Sequence, residues 1–150
     1  MIEKILVAVD GSGHSIKAVE YAATIAAACK AKLLVLTVLK PRQVPKVSDA
    51  LRKYAELEHI EGTDYEAMKL LSSDLLAHAA EVARGKGATD IDKLVESGPV
   101  ARTIVDLARR RKVDMIVLGS RGLGNIEATL RGGVSHRVEL LSKCPVLTVK

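Results

Sequence analysis

Short apolar runs rich in Val, Ile and Leu recur along this chain, and segments with helical spacing separate them. Lys4–Asp10 (KILVAVD) ends in an acid, while Lys32–Leu39 (KLLVLTVL) and Met115–Gly119 read as buried strands. Ile91–Glu96 is shorter and more polar, as an edge strand would be, and Pro145–Lys150 (PVLTVK) is the last run. Between these, Ser15–Cys29 places Ile16, Val19, Ala22, Ala23 and Ala26 on one helical face. Tyr65–Arg84 repeats Met68, Leu71, Leu75, Ala79 and Val82 at helical intervals, and Gly85 and Gly87 stop it. Ser97-Gly98-Pro99 opens a helix to Arg111, with Ser or Gly as cap, Pro in the first turn and Val100, Ile104 and Leu107 inward. A final helix covers Val134–Leu141. Strands alternating with helices imply an α/β fold: one doubly wound parallel sheet with right-handed crossovers.

Composition narrows the core and the partners. A chain of 150 residues fits one domain, 1–150, able to bury roughly 68–70% of its unfolded surface. With three Tyr and no Phe or Trp, the core must be Val, Ile, Leu and Ala, which suits strands covered by closely packed helices. The same scarcity leaves single-stranded nucleic acid little to stack upon. The net charge of +5, from 23 basic and 18 acidic residues, is mild. Its one dense run, Arg109–Lys112, falls at a helix end, where cations complement the carbonyl dipole. Nucleic acid is therefore not an expected partner. No apolar run reaches the ~18 residues of a membrane span, and the first ten residues lack the layout of a signal peptide. Cys29 and Cys144 form no metal or redox motif, so both read as structural, Cys29 as a small core residue, in a reducing cytoplasm. Pro41–Gly62 fits the scheme poorly; its weak amphipathic pattern leaves a lid, a partner surface and a bland insertion open.

In open parallel sheets, ligands sit beyond the carboxyl ends of the strands, where strand order reverses. Three such ends carry suitable chemistry: Asp10-Gly11-Ser12-Gly13, Thr37–Leu39 and Gly119–Gly122. Asp10 can accept from a ribose or help hold a metal ion that bridges phosphates, or serve as a turn residue; Ser12 or Ser15 can cap the first helix. The richest segment runs from Gly119 through Gly122 to Gly132-Gly133-Val134-Ser135, a strand end leading through spaced glycines to a helix start. Backbone amides there can surround a phosphate, and a Cβ would block close approach. No GxxxxGK[ST] loop occurs, and Gly11-Ser12-Gly13 lacks the third glycine of a dinucleotide fingerprint.

Gly119, two residues, Gly122, nine residues and Gly132, directly before the last helix, resembles the G-x2-G-x9-G-[S/T] motif of the universal stress protein family. KILVAVDGS, LLVLTV, Gly98-Pro99-Val100, VDMIVLGSRG and CPVLTV extend the likeness along the whole chain. The resemblance implies a flavodoxin-like sheet of order 3-2-1-4-5 and a nucleotide-responsive stress or regulatory module that binds ATP. Ala8 and Val9 would line the adenine side, Val38 would contact adenine through its backbone, and Asp10 would lie near the ribose or phosphates, with Mg²⁺ if the ATP carries it. Leu118 and Gly119 would border base and ribose, Arg121 and Gly122 would begin the phosphate loop, and Gly132, Gly133, Val134 and Ser135 would present amides and one hydroxyl. The family also implies a homodimer through antiparallel pairing of Pro145–Lys150. Gly133 stands where the motif asks for Ser or Thr, which removes a hydroxyl bond worth about 0.5–1.5 kcal/mol; Ser135, Arg121 or Arg131 can offset it. A member acting only through protein contacts and a slow ATPase are the alternatives, although no general base stands out. His14 reads as a solvated loop residue, His59 falls in the irregular segment, His78 faces solvent, and His136 lies near the last helix start. No residue set has metal-ligand spacing.

Overall fold

The computed structural model of the chain describes residues 1–40, 63–121 and 133–150, with side chains from Ala67 onward in the second stretch. Pro41–Gly62 with His59, and the loop residues Gly122, Arg131 and Gly132, therefore lie outside the described residues. The elements are β1 (Lys4–Ala8), α1 (Gly13–Cys29), β2 (Lys32–Leu39), α2 (Thr63–Gly85), β3 (Ile91–Ser97), α3 (Val100–Arg111), β4 (Met115–Gly119), α4 (Val134–Leu141) and β5 (Val146–Val149). The strands form one sheet of order β3-β2-β1-β4-β5, with every pairing parallel. The chain winds outward from β1 through β2 to β3, then crosses to the other flank of β1 as β4. Strand order thus reverses between β1 and β4, which is where a doubly wound sheet opens a crevice.

Strand side chains alternate between two cores. Ile5, Val7, Leu33, Val35 and Val117 pack beneath α1 and α2, and Leu6, Leu34, Leu36, Ile116 and Leu118 pack beneath α3 and α4. Each fully buried Leu or Ile contributes about 1.5–3 kcal/mol by leaving water. On α1 the buried residues are Ser15, Ala18, Val19, Ala22, Ala23 and Ala26, so small side chains let the helix approach the sheet. That approach is tightest at Gly119: a Cβ there would sit 2.7 Å from the His14 carbonyl carbon and 2.9 Å from the Ser15 nitrogen.

Local chemistry sets the helix ends. Ser12 caps α1, its hydroxyl accepting the Ser15 N–H at 3.2 Å. α1 closes through Lys30 and α3 through Lys112, both left-handed at φ 56° and 55°. The following residues, Ala31 and Val113, donate to Ala26 and Ala108 at 2.8 Å, closing each last turn. Arg109, Arg110 and Arg111 occupy the last turn of α3.

The structure corrects several sequence expectations. α1 begins at Gly13, so His14 lies in its first turn, half-buried, rather than in a solvated loop. Pro99 itself is the N-cap of α3, with no side-chain cap, in place of Ser97 or Gly98. Cys29 is exposed, three residues beyond Ala26, the last buried residue of α1. The buried face of α2 is Ser72, Leu76, Ala79, Ala80 and Ala83, whereas Leu71 is 64% exposed. The buried face lies one residue after the expected stripe, at Ser72, Leu76, Ala80 and Ala83 against Leu71, Leu75, Ala79 and Val82, with Ala79 shared by both. Among the described residues, no helix is long and apolar enough to cross a membrane.

Candidate nucleotide-binding cleft

The carboxyl ends of β1, β2 and β4 meet the first turn of α4 and the flanks of α2 and α3 around one cleft of about 560 Å³. That volume is within the range of small-molecule sites, about 300–1,000 Å³. Ala8, Val9, Asp10, Val38, Leu118, Gly119, Arg121, Gly133, Val134 and Ser135 all line it. These are ten of the twelve residues singled out from the sequence; the other two, Gly122 and Gly132, belong to the loop outside the described residues.

The exits of β1 and β4 are pinned to each other by short polar contacts. Asp10 donates its N–H to the Ser15 hydroxyl at 3.3 Å and accepts the Ser12 N–H on Oδ1 at 2.9 Å. Ser15 Oγ in turn donates to the Ser12 carbonyl at 2.9 Å. Asp10 is therefore both a turn residue and a carboxylate on the wall of the cleft, and Ser12 is the helix cap. The Ser12 hydroxyl also donates to the Arg121 carbonyl at 3.3 Å, which ties the entrance of the glycine segment to α1. Ser120 donates its N–H to Val149 at 2.8 Å, and its hydroxyl lies 3.3 Å from His14 Nδ1. On the β2 side, the Thr37 hydroxyl donates to the Val9 carbonyl at 3.0 Å. A site fixed this way by its backbone is organised before any ligand arrives.

The cleft is lined by both apolar and polar residues. Ala8, Val38, Ile104 and Leu118 give one apolar wall. Asp10, Arg121, Ser135 and the N-terminal end of α4 supply polar groups to the same cleft. Gly133 is the N-cap of α4 at φ −62° and ψ 160°, and it has no side chain with which to cap the helix. Among the described residues no side chain caps the first amides of α4, where the helix dipole favours an anion. Among the described residues, no group of three His, Cys, Asp or Glu is placed to hold a metal ion.

The glycine pattern and the sheet order agree with the comparisons. The sequence profile of the universal stress protein family matches residues 1–150. The chain belongs to the universal stress protein family. It is 35% identical to universal stress protein YxiE of Bacillus subtilis (strain 168), over 100% of both chains. Among solved structures, a universal stress protein in complex with cAMP is 30% identical, covers 99% of this chain and 96% of its own, and superposes with a TM-score of 0.73. The universal stress protein from Archaeoglobus fulgidus in complex with dAMP, 20% identical over 100% of this chain and 98% of its own, shares the fold at a TM-score of 0.63.

Sequence reasoning missed part of this universal stress protein's cleft. Lys40, one residue beyond β2, brings a cation to the rim, and Met68, Leu71, Ser72 and Leu75 of α2 form a wall. Lys40 carried no signal beyond following an apolar strand. The α2 residues did carry one, an apolar stripe longer than the core needed, but their place over the strand ends is a long-range outcome. Gly119, read as making room for a ligand, also has a packing duty, since the backbone of α1 occupies the space a Cβ would take.

Proposed function

We propose that this universal stress protein binds ATP and acts as a nucleotide-responsive regulatory module in the cytoplasm. The observation that carries this reading is the cleft between β1 and β4, lined by Ala8, Val38, Ile104 and Leu118 and also by Asp10, Arg121 and the start of α4, which has no side-chain cap. Adenine would lie along Ala8, Val9 and Val38, the ribose between Asp10 and Leu118–Gly119, and the phosphates toward Arg121, Gly133, Val134 and Ser135. Gly122 and Gly132 complete the glycine motif in sequence. Mg²⁺, where ATP carries it, would face Asp10. A related protein solved with cAMP supports an adenine nucleotide as the ligand class. Regulation then requires only that ATP bind two states of the protein unequally, since equal affinity shifts no population.

Homodimerisation through β5 belongs to the same proposal. Among the described residues β5 has a strand on one side only, Val146 and Leu147 are half-buried, and Leu140 and Leu141 on the adjacent α4 are 72% and 56% exposed. Pairing the edge with its twofold copy covers an otherwise open strand.

Titration calorimetry and thermal melting with millimolar ATP, with and without Mg²⁺, test the ligand. Saturable heat and a raised midpoint are expected, and neither appearing would leave a module working through protein contacts alone. Light scattering tests the second element, with twice the chain mass expected.

A further inference from the structure

Arg121 is the cation that the nucleotide reading sets against the phosphates, yet it is exposed and lies two residues beyond the end of β4. Sheet pairing fixes the residue before it, since the Ser120 N–H donates to the Val149 carbonyl at 2.8 Å. The Arg121 carbonyl is held differently, by a side chain 109 positions earlier: the Ser12 hydroxyl donates to it at 3.3 Å. Ser12 is buried and is not a lining residue of the cleft. Its own N–H is bound by Asp10 Oδ1 at 2.9 Å, and its hydroxyl oxygen accepts the Ser15 N–H at 3.2 Å. The entrance of α1 therefore fixes both the backbone of Ser12 and one lone pair of its oxygen. A carbonyl can only accept, so the hydroxyl proton is what reaches Arg121. One small side chain both caps α1 and sets where the cation of the cleft leaves the sheet.

We propose that Ser12 is a positioning residue for triphosphate binding: it touches no ligand and acts by holding the Arg121 backbone so that the guanidinium serves the cleft. The inference rests on the nucleotide reading above and adds the group that organises its cation. Without the bond, Arg121 is spread over more backbone states, and apparent affinity falls by the fraction that remains competent. A serine that only capped α1 would change stability and leave binding alone.

Calorimetric titration of the full chain with ATP, beside melting curves, separates positioning from capping. Ser12→Gly removes the donor, while glycine remains a fair helix cap, so this variant should melt close to wild type. Its ATP affinity should fall about two- to fivefold, the lower part of the scale of one hydrogen bond, because 3.3 Å is long for a hydroxyl donor. Ser12→Ala should weaken ATP equally and melt earlier, having lost the cap as well. Ser12→Thr keeps cap and donor and should bind ATP as wild type does. The readout that capping does not move is a double-mutant cycle, taken at a temperature where all four chains are folded. Arg121→Gln should weaken ATP by itself, and adding Ser12→Gly should cause no further loss, because the positioned group is gone. Unchanged affinity in both Ser12→Gly and Ser12→Ala overturns the assignment and leaves the nucleotide site standing. An equal loss from Ser12→Gly with and without Arg121→Gln, or an Arg121→Gln that binds ATP like wild type, also overturns it, since Ser12 then does not act through Arg121. A Ser12→Thr as weak as Ser12→Gly assigns the effect to space at position 12 and overturns the tether. Wild type that gives neither heat nor a raised midpoint with millimolar ATP overturns the nucleotide reading and this inference together.

Discussion

The two ends of the sheet are built on opposite terms. At the amino end, polar groups close on one another. Asp114 Oδ2 accepts the N–H groups of Glu3 and Lys4 at 2.8 and 2.9 Å, and Lys32 Nζ lies 3.5 and 3.4 Å from Asp90 and Asp92. α1 and α3 both finish there with their last carbonyls satisfied by the turns at Lys30 and Lys112. At the carboxyl end, β1 and β4 are pinned just as firmly, but α4 starts without a side-chain cap, and Leu71 keeps an apolar face open to the cleft. Self-satisfied groups support the fold; groups left with capacity to spare are the ones a ligand can use. Substitutions at the amino end should therefore move stability alone, and those in the cleft should move binding.

Gly119 is the position most able to break this division, since it lies in the cleft yet packs on α1. Gly119→Ala should cost about 1–3 kcal/mol, the range for overpacking, because the obstruction is backbone rather than a movable side chain. Denaturant unfolding measures it, and a fully stable variant would show that α1 is free to shift. Next comes Gly133→Ser, which sharpens the contrast from the other direction. A Cβ at Gly133 meets nothing closer than Ser135 Oγ at 4.0 Å, and its φ and ψ already suit a capping serine. ATP affinity should rise by up to about tenfold, read by calorimetry, while stability rises by only a few tenths of a kcal/mol.

Asp114 tests the amino end. The N–H groups of Glu3 and then Lys4 hold its carboxyl below the usual 3.8. A depressed folded-state value means the unfolded chain takes up the proton first. The contribution is therefore complete above the ordinary carboxylate value and is lost as pH falls through the lower folded one. Asp114→Ala should cost about 1 kcal/mol at neutral pH, kept small by solvent screening, with ATP binding unchanged. The gap from wild type should close in acid, which paired denaturation curves at neutral and low pH would reveal. The smallest expected effect is a gain. Lys112 adopts φ 55°, a conformation that glycine enters without strain, so Lys112→Gly should stabilise by roughly 0.5–1 kcal/mol in the same unfolding assay.

Most of the fold was legible because its signals are local. The apolar runs at Lys4, Lys32 and Met115 had to be buried strands, and helices between them force parallel pairing with crossovers. Within the site, Asp10, Val38 and Gly119 were legible for the same reason: they end strands, and strand ends converge at the reversal point of such a sheet. What failed was phase and reach. Leu71 belongs to a sound helical stripe, yet the buried face of α2 runs one residue later, through Ser72, Leu76, Ala80 and Ala83, and leaves Leu71 open. Cys29 looked like a core residue by type, but the buried face of α1 ends at Ala26.

The sequence by itself determined the alternation of strands and helices, the aromatic-poor core and the glycine pattern that places the chain in its family. All of these follow from spacing and side-chain type over a few neighbouring residues. Only the tertiary structure decided that Gly119 must lack a side chain to admit α1, that α2 lends a wall to the cleft, and that the Ser12 hydroxyl holds the Arg121 carbonyl. Each depends on groups that folding alone brings together, at distances no local pattern encodes.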